Sequence, residues 1–348
     1  MKTIALLAAA IVLATSACAA QAPAKLVVLT HDAFAISDAV LAKFESTYGV
    51  DVEILKGGDA GVMVNQAILT KDAPLADVLY GVDNTFLSRA LDAGIFDSYT
   101  SSVASNFSPD LNANTNGLVT PIDYGDVCVN IDNDAVAAGM PAPATLQALT
   151  DPEYRGKLVV ENPATSSPGL AFLMATIGSF GEGDNTYGIS WQEFWALLVQ
   201  NDVLVVDDWD TAYYTSFSGG AGEGDRPLVV SYATSPVAEV FFSDPPVAEA
   251  PTSVLADTCF LQIEYAGVLR GAKSVDGARK LIDFMVSPEF QADIPLNMFV
   301  FPANPAAVVP EVFTQYAATP MNVISFDPAE IDANRERWIQ EWTDIVLH

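Results

Sequence analysis

The chain has 348 residues with a hydrophobic fraction of 51%, long enough for two lobes with separate cores and too apolar for a disordered acidic chain. Lys and Arg total 15 against 44 Asp and Glu, a formal net charge of −29. Such a surface repels nucleic acid and other polyanions and concentrates cations around it. Solubility or adaptation to salt accounts for most of this charge, so only carboxylates inside a cleft bear on selectivity.

The chain opens as an export signal, assigned to residues 1–20. Met1-Lys2 supplies an early positive charge, and the apolar run from Ile4 to Ala14 is too short to span a bilayer. Cys18 sits where a lipoprotein cysteine would sit, after Thr15-Ser16-Ala17, while ordinary cleavage around Ala17-Cys18-Ala19 competes with lipidation there. Export leaves Cys128 and Cys259 in an oxidising compartment, where a disulfide between them is expected. Neither has metal-site spacing.

Lys25 to Thr30 is a short apolar strand ending at His31. A helix follows, with Val40, Leu41, Phe44 and Tyr48 on one face and Gly49 at its end. Val50, Val52 and Ile54 alternate as a second strand. Gly57-Gly58-Asp59 opens a helix bearing Val62, Gln66 and Leu69, and Asp77 to Val82 forms a third strand whose exit, Asp83-Asn84, caps another helix. This β-α-β-α-β order predicts a mostly parallel sheet, with His31, Asp59 and Asp83 at its carboxyl edge, where open α/β sheets bind ligands.

Leu118 to Ile131 reads as a long extended segment holding Asp123 and Cys128, and Thr258 to Ala266 as a second one. Between them, strand, polar turn and helix repeat: Lys157 to Glu161 precedes Ser166-Ser167-Pro168, and Val203 to Val206 precedes Asp207-Asp208-Trp209. Phe194 and Trp195 read as core. Asn297 to Asn304 reads as an irregular apolar stretch, and a last helix spans roughly Asp332 to Leu347 with Trp338, Trp342 and Ile345 on one face. The two long segments suit strands crossing between two α/β lobes, one formed by residues 25–120 and 262–305, the other by 121–261 and 306–348. Such a protein closes on its ligand about a hinge.

Enzyme chemistry finds little support. There are two histidines, His31 and His348, and no nucleophile elbow, Walker loop, dinucleotide fingerprint or His-Glu-x-x-His motif. The stretch from Asp207 to Pro236 is different. It sets carboxylates beside Trp209, Tyr213 and Tyr232 at two element ends. Aromatic faces next to carboxylates suit a flat organic cation, and the same rings could equally be core.

The order Trp209-x-x-Ala212-Tyr213, then Leu228-Val229-Val230-Ser231-Tyr232-x-Thr234-Ser235-Pro236, resembles the periplasmic thiamine-binding proteins of bacterial ABC importers. Asn162 to Leu170, Ile122-Asp123-Tyr124-Gly125, Phe284 to Gln291 and Trp338-Ile339-Gln340-Glu341-Trp342 agree in the same order. The resemblance covers nearly all of the chain after residue 25. It implies a two-lobed α/β fold of the type II periplasmic-binding class, each lobe a mostly parallel sheet flanked by helices. It also implies a monomer without a cofactor that hands thiamine, or thiamine phosphates, to a membrane permease. By this resemblance His31, Trp209, Tyr232 and Phe299 surround the ligand's rings, with Tyr213 a further contact. Asp59, Asp83 and Asp123 meet its charge or amino group, and Ser166 meets its hydroxyethyl or phosphate end. The chain departs from the family pattern at His31, where tyrosine is usual, and at Phe299, where tryptophan is usual. Related binding proteins carry iron(III) or polyamines; Tyr213-Tyr214 invites the first reading and the acidic aromatic cleft permits the second.

Overall fold

A computed structural model describes residues 24–111, 116–183 and 188–348. The proposed signal segment and Cys18 lie outside the described residues. Among the described residues ten strands form one sheet: β1 (Ala24–Thr30), β2 (Val50–Lys56), β3 (Val78–Asp83), β4 (Thr120–Asp132), β5 (Leu158–Glu161), β6 (Leu204–Val206), β7 (Leu228–Tyr232), β8 (Thr252–Val268), β9 (Phe301–Pro302) and β10 (Val323–Ile324). Their order is β2-β1-β3-β8-β4-β7-β5-β6, with β9 on β4 and β10 on β8.

The parallel character expected of each lobe holds at the two ends of this sheet. There β1 pairs in parallel with β2 and β3, and β5 with β6 and β7. The centre is antiparallel. β4 carries the chain out of the first lobe and β8 returns it, so the two run side by side in opposite directions from Thr120↔Ala266 to Asp132↔Thr252. Their 13 and 17 residues make them far longer than the outer strands. Each feeds both lobes: β3 pairs with the last part of β8, and β7 with the last part of β4. Cys128 on β4 and Cys259 on β8 are joined by a disulfide, with Cα atoms 4.6 Å apart.

Burial follows the pleat and the helix stripe. Leu26, Val28, Val78 and Leu79 are fully buried in one lobe, Val159, Val160, Leu228 and Val230 in the other. Phe194 and Trp195 are core, and the Trp195 indole donates to the Thr176 hydroxyl at 3.0 Å. In the helix Ala60–Leu69 the buried face is Met63, Val64 and Ala67, whereas Val62 and Leu69 are 44% and 86% exposed. The face expected from sequence is turned, because Gly61 must sit against the other lobe: its N–H donates to the Thr165 carbonyl at 2.9 Å, and a Cβ there would fall 2.7 Å from that oxygen.

The C-terminal helix, Pro328–Val346, starts earlier than its apolar stripe suggested, because Asp327 caps it at the Ala329 N–H and Pro328 occupies the first turn. It touches both lobes. Trp342 packs edge-on against Trp195 at 5.5 Å, and the buried Arg335 guanidinium lies 5.6 Å over the Phe86 ring. A helix also replaces part of the irregular stretch expected at 297–304: Pro288–Met298 is helical, and Phe299 ends it in the left-handed region at φ 55°.

Candidate functional site

The carboxyl ends of β1 and β2, the turn after β6, the end of β7 and the middle of β8 all face one cavity of about 530 Å³ between the lobes. That volume is in the range of sites for small organic ligands. Six residues expected from sequence line it: His31, Asp59, Trp209, Tyr213, Tyr232 and Phe299.

Trp209 and Tyr213 form one wall, their rings stacked at 5.1 Å and 20°, with Tyr214 edge-on to Trp209 at 5.5 Å. Residues four apart meet on one helical face, and the turn that follows shapes the pair. Thr211–Ser216 is a π-helical turn, a local expansion common at functional sites. Asp208 anchors its entry by accepting from the Thr211 N–H at 2.7 Å and hydroxyl at 2.9 Å. The Trp209 indole donates to the Ser231 hydroxyl at 3.0 Å, the Tyr213 hydroxyl to Glu239 Oε1 at 2.7 Å, and the Tyr232 hydroxyl to Gln262 Oε1 at 2.8 Å. Each ring is thus fixed by its polar tip, and Tyr213, itself buried, backs the Trp209 ring. Phe299 packs at the mouth against Phe242 at 5.3 Å and Phe241 at 5.7 Å.

The floor is polar and buried. His31 Nε2 lies 3.3 Å from Glu264 Oε1, and Gly81, at φ 93°, makes room for the imidazole that a Cβ would strike. The Tyr80 hydroxyl donates to Asp123 Oδ2 in a short bond and lies 3.3 Å from Glu264 Oε2. Burial pushes the Asp123 carboxyl well up, reinforced by the neighbouring Glu264. Burial opposes the Glu264 carboxylate too, but His31 together with hydrogen bonds from Asp123 and Tyr80 brings it below the ordinary range. Burial opposes the charge of the imidazole, but Glu264 and Asp59 together raise it. The floor thus sets the His31 imidazole against the Glu264 carboxyl.

At the other end Asp59 caps the helix Ala60–Leu69, accepting from the Ala60 N–H at 2.6 Å through Oδ1. Oδ2 accepts from the Trp209 N–H of the opposite lobe at 3.2 Å. Burial raises this carboxyl, and these donors limit the rise.

Three expected residues do not line the cavity. Asp83 turns back to accept from the Thr85 N–H and hydroxyl and the Phe86 N–H, and is fully buried. Asp123 lies beneath the floor, behind Tyr80. Ser166 is buried at the entry to the helix Ser167–Phe180, and Ser167 and Pro168 take the lining place. Sequence reasoning missed Gln262, Glu264 and Glu239 and named Tyr214 only for the iron reading; all four line the cavity, as does Asp210 from the stretch singled out above. Gln262 and Glu264 had a legible signal: two polar residues at period two in the apolar run Phe260 to Tyr265, hence on one face of a crossing strand.

Two lobes sharing one sheet around a ring-walled, acid-lined cavity have the layout of a protein that binds a solute in a cleft. The chain belongs to the bacterial extracellular solute-binding protein family, whose model matches residues 73–330. It is 28% identical over 326 residues to the thiamine-binding periplasmic protein of Escherichia coli K12, covering 92% of this chain and 93% of that one. It is 29% identical over 335 residues to the thiamine-binding periplasmic protein of Salmonella typhimurium LT2, covering 94% and 96%. Among solved structures it resembles a periplasmic thiamin binding protein with a TM-score of 0.76 at 27% identity, covering 92% and 96%. The fold alone is shared with AfuA of Actinobacillus pleuropneumoniae, bound to fructose-6-phosphate, at a TM-score of 0.75, 19% identity and coverage of 93% and 99%.

Proposed function

We propose that this protein captures thiamine in the interlobe cavity and delivers it to an ABC permease in the membrane, without chemistry on the ligand. The observation that carries the reading is the juxtaposition of the stacked Trp209–Tyr213 wall and the Tyr232 and Phe299 rings with the carboxylates of Asp59 and Glu264. A flat aminopyrimidine suits the rings, and a permanently charged thiazolium suits the carboxylates. The relatives named for thiamine cover more than nine-tenths of the chain, which supports the choice.

Iron(III) is the weaker reading. It needs phenolate ligands, and burial pushes both Tyr213 and Tyr232 well above the ordinary phenol range while their hydroxyls donate to Glu239 and Gln262. A polyamine would use the carboxylates but leave the ring faces idle. The protein works as an exported monomer, needs no cofactor and has no nucleic-acid partner. Cys18 is the candidate lipid attachment point.

The test is calorimetric titration of refolded mature protein, stripped of carried ligand, with thiamine. One-to-one binding is expected. Absence of heat with thiamine, together with stabilisation by iron(III) or spermidine, would overturn the assignment.

A further inference from the structure

The crossing strand β8 changes neighbours where it passes the cavity. One of its edges stays paired with β4 through this stretch, with Tyr124↔Ile263, Gly125↔Gln262 and Asp126↔Leu261. On the other edge β3 ends at Asp83↔Glu264, and β10 takes over only at Ile324↔Phe260. The Ile263 N–H and the Leu261 carbonyl fall in the gap between those two strands. Backbone groups in the interior of a sheet need partners. β3 cannot supply them by running on, because the chain turns at Thr85 and Phe86, whose N–H groups donate to the Asp83 carboxyl.

Asn84 fills the gap with its side chain. Its backbone N–H donates to the Ile263 carbonyl at 3.0 Å. Its Oδ1 accepts from the Ile263 N–H at 2.9 Å, and its Nδ2 donates to the Leu261 carbonyl at 2.9 Å. A short carboxamide offers an acceptor and a donor together, so it stands in for the next residue of β3. The residue it brackets is Gln262, which lines the cavity, whereas Asn84 itself does not. Gln262 Oε1 accepts from the Tyr232 hydroxyl at 2.8 Å. The Tyr232 ring lies on the same rung of the ladder: a Cβ on Gly125, the β4 partner of Gln262, would fall 3.1 Å from Cδ1 of that ring.

We infer that Asn84 is a positioning residue for ligand capture: by clasping the β8 backbone on both sides of Gln262, it sets the Gln262 amide and, through it, the Tyr232 ring on the cavity wall. This rests on the thiamine reading. Without the clasp, β8 is held at Gln262 by β4 alone. The rung is then free to shift, and the Tyr232 hydroxyl loses the fixed acceptor that orients its ring. Contact with the ligand belongs to Tyr232, and Asn84 acts only through it.

The test is a double-mutant cycle on the mature protein, read by calorimetry with thiamine. Asn84→Ala should weaken binding roughly three- to tenfold, the scale of one neutral hydrogen bond. Tyr232→Phe keeps the ring and removes the hydroxyl that Gln262 holds. In that background Asn84→Ala should change affinity by less than about twofold, because the relay is already cut. A purely structural loss would instead lower the melting temperature and weaken both backgrounds alike. Asn84→Ser, a milder truncation, carries the same cycle if Asn84→Ala does not fold. Unchanged affinity in a folded Asn84 variant, or equal weakening in both backgrounds, would overturn the inference and leave the thiamine reading standing. No binding of thiamine by the wild-type protein would overturn both.

Discussion

The Trp209 N–H donates to Asp59 Oδ2 at 3.2 Å across 150 residues of sequence, so the residue that supplies the aromatic wall is tied by its backbone to the helix cap of the opposite lobe. Ring and carboxylate are presented to the ligand as one unit. The Gly61–Thr165 hydrogen bond lies beside it and makes a second link between the lobes.

Trp209→Ala should weaken thiamine binding by roughly tenfold, the worth of one stacking or cation–π face. Tyr213 loses its stacking partner in the same variant. The effect is read by calorimetry, with the melting temperature as a check, since Trp209 only borders the small cluster of Val159, Ala212, Tyr213, Phe217 and Val229. An unaltered affinity would remove Trp209 from the site.

Binding should respond to pH through His31. Burial opposes its charge, but Glu264 and Asp59 together raise it above the usual 6.5. The imidazolium repels a cationic ligand. Affinity for thiamine should therefore rise as pH increases through the raised value and His31 loses its proton. The ion pair's contribution to stability runs the opposite way: full below the unfolded-state value and lost as pH passes the raised one. Titrations between about pH 6 and 9 check this, and His31→Gln should flatten the profile.

Asp83 makes a separate prediction about stability. Burial pushes its carboxyl up to about 6 from 3.8. A raised carboxyl favours the folded state at low pH and loses that advantage as pH climbs from the unfolded value through the folded one. Its ionisation should cost roughly 3 kcal/mol between about pH 4 and 6. Asp83→Asn keeps the acceptor used by Thr85 and Phe86, so its stability relative to wild type should improve from pH 4 to pH 7. Parallel denaturation curves at the two pH values would refute the assignment.

The disulfide closes a loop of 131 residues between the two crossing strands. In the loop-entropy account its removal costs about 5 kcal/mol. Cys128→Ser should lower the melting temperature, and a reducing agent should lower that of the wild type but leave the variant unmoved. Thiamine affinity should change little, because neither cysteine lines the cavity.

Much of this molecule was legible before any coordinates. Short apolar runs ending in polar turns give β1, β2, β3, β5 and β6 and the helices between them, because local periodicity is what the chain itself encodes. The crossing segments stood out by their length, and Trp209, Tyr213 and Tyr232 by their place at element ends beside carboxylates. Which carboxylates face the ligand was not legible. Asp83 and Asp123 sit at the expected strand positions, yet one is recruited by its own turn and the other is covered by Tyr80. Glu264 reaches the floor because β8 runs beneath both lobes, and Asp59 meets Trp209 because Gly61 lets the lobes touch. A sequence fixes where a polar side chain leaves its own strand or helix. What then covers it, pairs with it or strips it of water comes from segments a hundred or more residues away, and packing alone decides that.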